Sequence, residues 1–310
     1  MTRTLLATAS LFAFAAAAHA QEELNALIWC DHADPGLLEP VETANDVKVN
    51  VREYEGTGAA LALLEQSRPG DWDVFVVDGI DVPRVVALDL LAEMPAAALP
   101  LDSIFPEVQM PELNQQDGKI YAVTEKFGYN TIAYNSEKVD AADMTDTSVL
   151  FGDKYAGRIA IYDYYLPVMG MVQMAKGGTT AAMTDEDVSN MQEDLFTLKD
   201  NAAGVFGVVA AQTALATGEV DIVVGGGEWL TAVLSSEQPE LDWVIPETGA
   251  VRWTQSIGVM NDSTKPELAL KFVQYLLSPE GQARLATSSC YWAMPANAAA
   301  GDILIDDQTA

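Results

Sequence analysis

Strand-like and helix-like patterns alternate along almost the whole chain, and this order constrains the fold more than any other feature. Apolar or alternating strand patterns lie at 24–29, 47–51 and 72–77. Helical patterns that begin at Pro35, Thr57 and Asp81 follow them in turn. Because such a strand–helix–strand order buries its helices on the faces of one sheet, it predicts a parallel, doubly wound α/β sheet.

A second series of the same kind follows the apolar stretch 129–135. Strand patterns lie at 158–161, 205–208, 220–224 and 242–245, with helical patterns between them at 167–176, 185–198, 212–217 and after Gly225–Gly227. The alternating stretch 251–261 then leads to two last helical patterns, which begin at Pro266 and Pro279. We therefore expect two α/β lobes, with 251–261 forming a long strand that returns to the first lobe.

The first twenty residues have the composition of a cleavable export signal. Arg3 supplies a positive start, residues 5–18 are apolar, and Ala18-His19-Ala20 provides small residues at a cleavage site. The apolar run is too short for a stable membrane anchor. Gln21 follows the expected cut and no lipobox cysteine is present, so the sequence predicts a mature protein, beginning at residue 21, that is exported without a lipid anchor.

The charge balance is strongly acidic. The chain has 46 Asp and Glu against 16 Lys and Arg, a formal net charge of −30. A charge of this sign repels nucleic acid and anionic lipid and attracts cationic solutes, although it equally serves solubility alone. The chain has two histidines and one of them is His19 in the signal, which excludes a multi-histidine metal site. We expect no metal and no cofactor.

Seven segments in a fixed order resemble one protein family. They are LIWCDHADPGLLEP from Leu27, DWDVFVVDG from Asp71, KFGYNTIAYNSEKV from Lys126, GEVDIVVGGGEWL from Gly218, VRWTQSIGV from Val251, PELALKFVQYLLSPEGQARLA from Pro266 and CYWAMPANAAA from Cys290. Together they resemble the bacterial extracellular solute-binding proteins of the periplasmic spermidine/putrescine-binding type.

The resemblance implies a fold and a function. The fold is that of type II periplasmic binding proteins, two doubly wound lobes joined by two crossover strands, with the ligand held between them. Lobe one would comprise residues 21–128 and 254–310, and lobe two residues 129–253. The implied function is that of the periplasmic solute-binding component of an ABC importer, without enzymatic activity. It would act as a monomer, capture a polyamine, a diamine or a related cationic or zwitterionic amine, and deliver it to a membrane permease.

Aromatic residues are the first candidates for the ligand site. Trp29, Trp253 and Tyr291 match aromatic residues that line the family's cleft, and Tyr164 and Trp229 follow strand patterns of lobe two. Flat rings suit the methylenes and the ammonium group of an amine. The alternative for each ring is a place in the hydrophobic core.

The carboxylates match the family less well. Gln255 stands where polyamine binders carry an acid, Asp163-Tyr164 where they carry an acidic pair, and Ile80 where they carry an aromatic ring. The acids that could pair with the ligand's ammonium groups in their place are Asp31, Asp78, Glu125, Asp163 and Glu228. For each one a solvated surface acid is the alternative. We expect Asp31 and Asp78 to lie close together because both follow strands that neighbour each other in the predicted sheet.

Basic residues and a glycine run also allow a ligand that carries a negative charge. Lys126 and Arg252 could bind a carboxylate or phosphonate, which would make the ligand a zwitterion. Gly225–Gly227 could present backbone N–H groups to an anion, or could simply form a tight strand-to-helix turn.

The two cysteines, Cys30 and Cys290, adjoin the proposed wall residues Trp29 and Tyr291. If both rings line one cleft, the sulfur atoms come within bonding range. An exported protein can keep such a bond. We therefore expect a disulfide that links the first strand to the C-terminal segment.

Three other functions stay open at this point. Tyr162, Tyr164 and Tyr165 could supply phenolates to a ferric ion in a periplasmic iron-binding protein. A pair of carboxylates could serve a secreted hydrolase. Nucleophilic catalysis is disfavoured because the predicted mature chain has only His32 and its sequence has no nucleophile-elbow motif. A receptor that presents its ligand to a chemotaxis protein would have the same sequence features.

Overall fold

The structure is a computed structural model that describes residues 21–180 and 183–304. The predicted export signal, residues 1–20, lies outside the described residues. Twelve strands are found within the described ranges: β1 Glu22–Ile28, β2 Val47–Glu53, β3 Val74–Asp78, β4 Gln115–Gln116, β5 Lys119–Ile120, β6 Val123–Asn135, β7 Ile159–Tyr162, β8 Ala202–Phe206, β9 Ile222–Gly226, β10 Leu241–Val244, β11 Val251–Val259 and β12 Met294–Pro295.

Twelve α-helices lie between and after these strands in the same ranges: α1 Pro35–Asn45, α2 Thr57–Leu64, α3 Val82–Ala87, α4 Pro111–Asn114, α5 Ala141–Thr145, α6 Tyr165–Ala175, α7 Asp185–Asn190, α8 Gln192–Asn201, α9 Val208–Ala216, α10 Glu228–Thr231, α11 Pro266–Leu276 and α12 Pro279–Ala286. None of the helices in the described part of the chain has the length and apolar character that crossing a membrane requires.

The main sheet has the strand order β2-β1-β3-β11-β6-β9-β7-β8. On one side β1 pairs in parallel with β2 and β3, and on the other β7 pairs in parallel with β8 and β9. The two long strands in the middle, β6 and β11, run antiparallel to each other and to their outer neighbours. The predicted α/β class with two doubly wound lobes and two crossover strands is confirmed.

Burial explains which segments became central strands. All five residues of β3 are buried, as expected for a strand that is covered by helices on both faces. In the edge strand β2, Val47 and Val49 are buried while Lys48 and Asn50 are exposed, so its apolar residues face one side only. The sequence patterns of β2 and β3 therefore agree with their positions at the edge and in the interior of the sheet.

Each lobe has its own hydrophobic core. The core of lobe one includes Leu24, Phe75, Ile257 and Phe272, so the chain returns to this lobe through β11 and α11. The core of lobe two is made of two clusters, which contain residues such as Ile132, Met191 and Leu198 or Ala133, Leu215 and Leu230. The predicted lobe limits at 128/129 and 253/254 fall inside β6 and β11, and these limits stay a prediction.

Several elements differ from their predicted bounds. The strand expected over 205–208 is β8, Ala202–Phe206, and the helix expected over 212–217 is α9, which begins at Val208. The helix expected over 185–198 is two helices, α7 and α8, which meet at the fully buried Met191. The strand expected from Tyr129 begins at Val123, because residues 123–130 pair with β11 and residues 126–127 also pair with β12. Pairing with strands more than a hundred residues away decided the start of β6.

Candidate functional site

Three strands of the two lobes end close to one another. Trp29 directly follows β1, Asp78 is the last residue of β3, and Tyr162 is the last residue of β7. Ligands of doubly wound sheets bind outside the carboxyl ends of the parallel strands. The crossover strands β6 and β11 pass between these ends and contribute Asn130, Trp253 and Gln255 to the same region.

A cavity of about 40 Å³ lies between the strand ends. It is lined by Trp29, Asp78, Asn130, Tyr162, Tyr164, Val208, Trp229, Trp253, Gln255 and Tyr291. A water molecule needs roughly 10–15 Å³ of such space, so the cavity accepts only a small group unless its walls move. Seven of the ten residues that the sequence singled out for ligand binding line it.

Aromatic rings form most of the cavity wall. Tyr291, Trp229, Tyr162, Tyr164 and Trp29 follow one another in a row, with centroid separations of 5.7, 5.3, 6.1 and 6.0 Å between successive rings. These separations are typical of favourable aromatic pairs. The row crosses from one lobe to the other, since Trp29 follows β1 whereas Tyr162 ends β7.

Asp78 supplies the carboxylate of this cavity. Its Oδ2 accepts a hydrogen bond of 2.5 Å from the Tyr164 hydroxyl and one of 3.4 Å from Thr57. Burial raises the pKa of Asp78 to about 6, because the charged form loses hydration. The Tyr164 hydrogen bond stabilises the charged form and limits this rise in pKa. The carboxylate is therefore ionised at pH 7 and has only neutral partners, which suits it to a cation.

The phenols around Asp78 are neutral. Burial raises the pKa of Tyr162, Tyr164 and Tyr291 above the ordinary value for tyrosine, and the charge of Asp78 adds to the effect on Tyr164. These side chains therefore act as hydrogen-bond donors and apolar walls.

Asp31 and Glu125 belong to a separate buried cluster that does not line the cavity. Lys126 Nζ donates hydrogen bonds to Asp31 and, at 2.9 Å, to the Tyr291 hydroxyl. His32 bridges the two acids, with Nδ1 2.9 Å from Asp31 and Nε2 2.6 Å from Glu125. Although burial alone would lower the pKa of His32, the charges of Glu125 and Asp31 raise it. Both acids are thus paired with buried basic side chains.

The remaining two acids lie elsewhere. Asp163 is exposed, one residue beyond β7. Glu228 begins α10 and is buried; its Oε1 accepts a 2.7 Å hydrogen bond from the Tyr129 amide, and its Oε2 has no hydrogen-bond partner among the described residues. Burial raises the pKa of Glu228 to about 7. Contact of these two acids with a ligand stays a prediction.

A second, larger cavity of about 450 Å³ lies beside β6. Glu228 is on its wall, and so are the rings of Phe127, Trp243 and Trp292. Trp229 lines both cavities. The first cavity is the better candidate for a ligand site because it lies at the strand ends and its carboxylate is not fixed by a backbone amide.

The basic residues that a zwitterionic ligand would need are not in the cavity wall. Lys126 is almost fully buried in contact with Asp31 and Tyr291. Arg252 is exposed, and its Nη2 lies 3.8 Å from Met110 Sδ. The glycine run has a geometric explanation: Gly225 has a φ of 86°, and a Cβ on Gly227 would lie 2.2 Å from the Tyr129 carbonyl oxygen, so the run forms a tight turn.

Sequence reasoning missed three cavity residues as ligand contacts: Asn130, Tyr162 and Val208. Tyr162 could have been found because it is the last residue of a strand, as Asp78 is, while Trp29 directly follows one. Asn130 orients the wall, since its Oδ1 accepts a 3.1 Å hydrogen bond from Trp229 Nε1. Ile80, which stands where relatives carry a ring, is 60% exposed and does not line the cavity.

The disulfide predicted between Cys30 and Cys290 is present, with a Cα–Cα distance of 6.0 Å. It links the residue after Trp29 to the residue before Tyr291. Two walls of the cavity are therefore held together covalently.

The geometry gives little support to the other functions considered. Asp78 is the one carboxylate in the described cavity wall, whereas glycoside hydrolysis uses a pair. No group of three or more His, Cys, Asp or Glu residues in the described ranges is arranged to hold a metal ion. The buried tyrosines Tyr162 and Tyr164 are held in the neutral form, and Tyr165 is 53% exposed.

Two lobes around a curled mixed sheet, two crossover strands and a cavity at the facing strand ends define the fold of a type II periplasmic binding protein. A family model described as bacterial extracellular solute-binding protein matches residues 36–310. The chain belongs to this family.

Relatives of known name are distant in sequence but match over most of their length. The spermidine/putrescine-binding periplasmic protein of Salmonella typhimurium is 25% identical and aligns over 94% of this chain and 83% of its own. The putrescine/agmatine-binding protein of Pseudomonas aeruginosa is 24% identical over 91% and 79% of the two chains. The solved structure of a putative spermidine/putrescine ABC transporter from Listeria monocytogenes superposes with a TM-score of 0.83 at 22% identity, covering 93% and 87%.

Proposed function

We propose that this protein is the periplasmic solute-binding component of an ABC importer and that it captures a small amine between its two lobes. The observation that carries the proposal is Asp78, a buried carboxylate with neutral hydrogen-bond partners in a cavity walled by aromatic rings. The names of the Salmonella and Pseudomonas relatives, which refer to spermidine, putrescine and agmatine, support an amine as the ligand.

The binding mode follows from the chemistry of the wall. The ammonium group pairs with Asp78, because a buried cation without a counter-charge is strongly disfavoured. The methylenes lie against the rings of Trp29, Trp229 and Trp253, and each ring that faces the cation contributes about 0.5–2 kcal/mol. Tyr164 of lobe two donates to Asp78 of lobe one, so closure of the lobes and completion of the cation site are coupled.

The proposal also covers the partner, the oligomeric state and the export of the protein. A membrane permease would receive the ligand from the closed lobes, and the binding protein would act as a monomer after removal of residues 1–20.

Replacement of Asp78 by Asn tests the proposal. We expect at least one of n-butylamine, putrescine and spermidine to raise the melting temperature of the wild-type protein, because a ligand of the folded state stabilises it by mass action. The Asp78→Asn variant should bind that amine at least tenfold more weakly in calorimetric titration. Asp200→Asn makes the same chemical change at an exposed position of α8 and should leave the affinity unchanged.

The outcome that contradicts the proposal is equally clear. Equal affinity of wild-type and Asp78→Asn protein for the amine would place the cation elsewhere. Absence of a shift in melting temperature with all three amines would remove the amine from the proposal altogether.

A further inference from the structure

We infer that the cleft selects an amine with one positive charge and no carboxylate, in preference to diamines, polyamines and amino acids. This inference rests on the proposed function and names its substrate class. It follows from the charges that line the cavity, from those that are already paired elsewhere, and from one strand register.

The first step concerns the acids that a second ammonium group would need. Asp31 is fully buried and pairs with Lys126 and His32, and the equally buried Glu125 accepts from His32. A ligand ammonium that took Asp31 would leave Lys126 as an unpaired buried charge, which is strongly disfavoured. These two acids therefore serve the fold and are not free to bind a ligand.

The second step concerns the cavity wall itself. Apart from Asp78, the residues that line it are aromatic rings, amides and Val208. Within this wall an ammonium at the far end of a diamine would lose its hydration without gaining a carboxylate. Glu228, whose Oε2 has no hydrogen-bond partner among the described residues, lines the second cavity instead. The described wall thus balances one positive charge.

The third step is the register between two strands. Gln255 of β11 is the Cα partner of Asp78 in β3, and directly paired residues of antiparallel strands have Cβ atoms about 5 Å apart on the same face. Gln255 Oε1 is buried and has no hydrogen-bond partner among the described residues. The Gln255 side chain also forms a hydrogen bond with Asp78, which its amide N–H donates. The amide oxygen of Gln255 thus remains an acceptor beside the carboxylate, and the two residues together suit one ammonium head group.

The fourth step excludes an acidic group on the ligand. No Lys, Arg or His is among the residues that line the cavity. Lys126 is paired with Asp31, and Arg252 is exposed beside Met110. A ligand carboxylate would have no counter-charge there, and it would be repelled by Asp78.

A series of four-carbon amines tests the inference at constant length. We expect n-butylamine and 4-amino-1-butanol to bind the wild-type protein at least tenfold more tightly than putrescine and 4-aminobutanoate in calorimetric titration at pH 7.5. The four probes share their methylene chain and differ at one end, which is a methyl, a hydroxymethyl, an ammonium or a carboxylate group. The comparison uses the wild-type chain and does not depend on the folding of any variant.

Gln255→Glu extends the test. A second acid beside Asp78 should improve the affinity for putrescine at least tenfold relative to n-butylamine, because the wall then balances two positive charges. Gln66→Glu adds the same charge at an exposed position of lobe one and should leave the ratio unchanged. The circular dichroism spectrum and melting temperature of each variant show whether it is folded before its affinities are compared.

The results separate failure of this inference from failure of the proposed function. If putrescine or 4-aminobutanoate binds most tightly to the wild-type protein, the single-charge inference is wrong while amine capture stands. If none of the four probes, nor spermidine, binds, the proposed function itself is wrong.

Discussion

Among the individual residues, Asp78 and Asp31 show how a partner decides the role of a carboxylate. Asp78 ends β3 and Asp31 lies three residues after the end of β1, and nothing in the local sequence distinguishes their roles. Asp31 is paired with Lys126, which is 95 residues away in the chain, so its role is set by a contact that the local sequence does not reveal. Asp78 has neutral hydrogen-bond partners, Tyr164, Thr57 and Gln255, and its charge remains available.

Trp29 serves two roles at once. It lines the cavity, yet it is 3% exposed and its ring packs 5.6 Å from that of Tyr54 in the core of lobe one. Truncation of a buried tryptophan typically costs 3–5 kcal/mol of stability. A Trp29→Ala variant would therefore report on folding as well as on binding, and Asp78→Asn is the sharper probe of the site.

The pKa of Asp78 gives amine affinity a defined pH dependence. Because burial raises this pKa to about 6, the carboxylate takes up a proton as the pH falls through 6 and no longer pairs with an ammonium group. About one carboxylate in ten is ionised one unit below its pKa. We expect the Kd of n-butylamine to rise about tenfold between pH 7.5 and pH 5, measured by calorimetry.

A control variant separates the contribution of Asp78 to the pH dependence from that of Glu228. Burial raises the pKa of Glu228 to about 7. Glu228→Gln should keep the pH dependence of the affinity, since Glu228 does not line the first cavity. A constant Kd between pH 7.5 and pH 5 in the wild-type protein would contradict the assignment of Asp78 as the counter-charge.

At the scale of the elements, strand β6 connects the lobes and the buried charges. Its residues Glu125 and Lys126 contact the short segment after β1, and Lys126 also contacts Tyr291 after α12. The disulfide between Cys30 and Cys290 joins the same two segments. Three distant parts of the chain therefore meet at the back of the cavity through ion pairs and one covalent bond.

Removal of Lys126 should destabilise the fold strongly. Lys126→Met leaves Asp31 buried without its lysine partner, and loss of one member of a buried ion pair costs about 3–5 kcal/mol. Urea unfolding, compared with Lys138→Met at an exposed position, measures the difference in the free energy of unfolding. A loss below about 1 kcal/mol would show that Asp31 does not depend on Lys126 and would leave it free for a ligand.

The order of the elements could be predicted from the sequence, whereas some of their limits could not. Hydrophobic periodicity is a local property, so β1 to β3 and α11 are recognisable from a few residues each. The start of β6 depends on β11 and β12, which pair with it from far along the chain. The junction of α7 and α8 at Met191 is marked by neither Gly nor Pro, the residues that usually indicate a break.

For the whole molecule, two successive α/β series followed by a return strand were sufficient to predict two lobes and a site at the facing strand ends. The resemblance added Trp29, Trp253 and Tyr291, and all three line the cavity. The charge of the site could not be predicted in the same way. The net charge of −30 says little about a cavity in which a single carboxylate is available, because Asp31 and Glu125 are paired with Lys126 and His32 and Glu228 lines the second cavity.

A crystal structure of the protein with 4-amino-1-butanol is the most direct test of the central claim, the pairing of a ligand ammonium with Asp78 between the lobes. The account predicts the nitrogen atom about 2.8 Å from a carboxylate oxygen of Asp78, with the methylenes against Trp29 and Trp253. Electron density for the amine in the cavity beside Glu228, or contact of its nitrogen with Asp31 in place of Asp78, would contradict it.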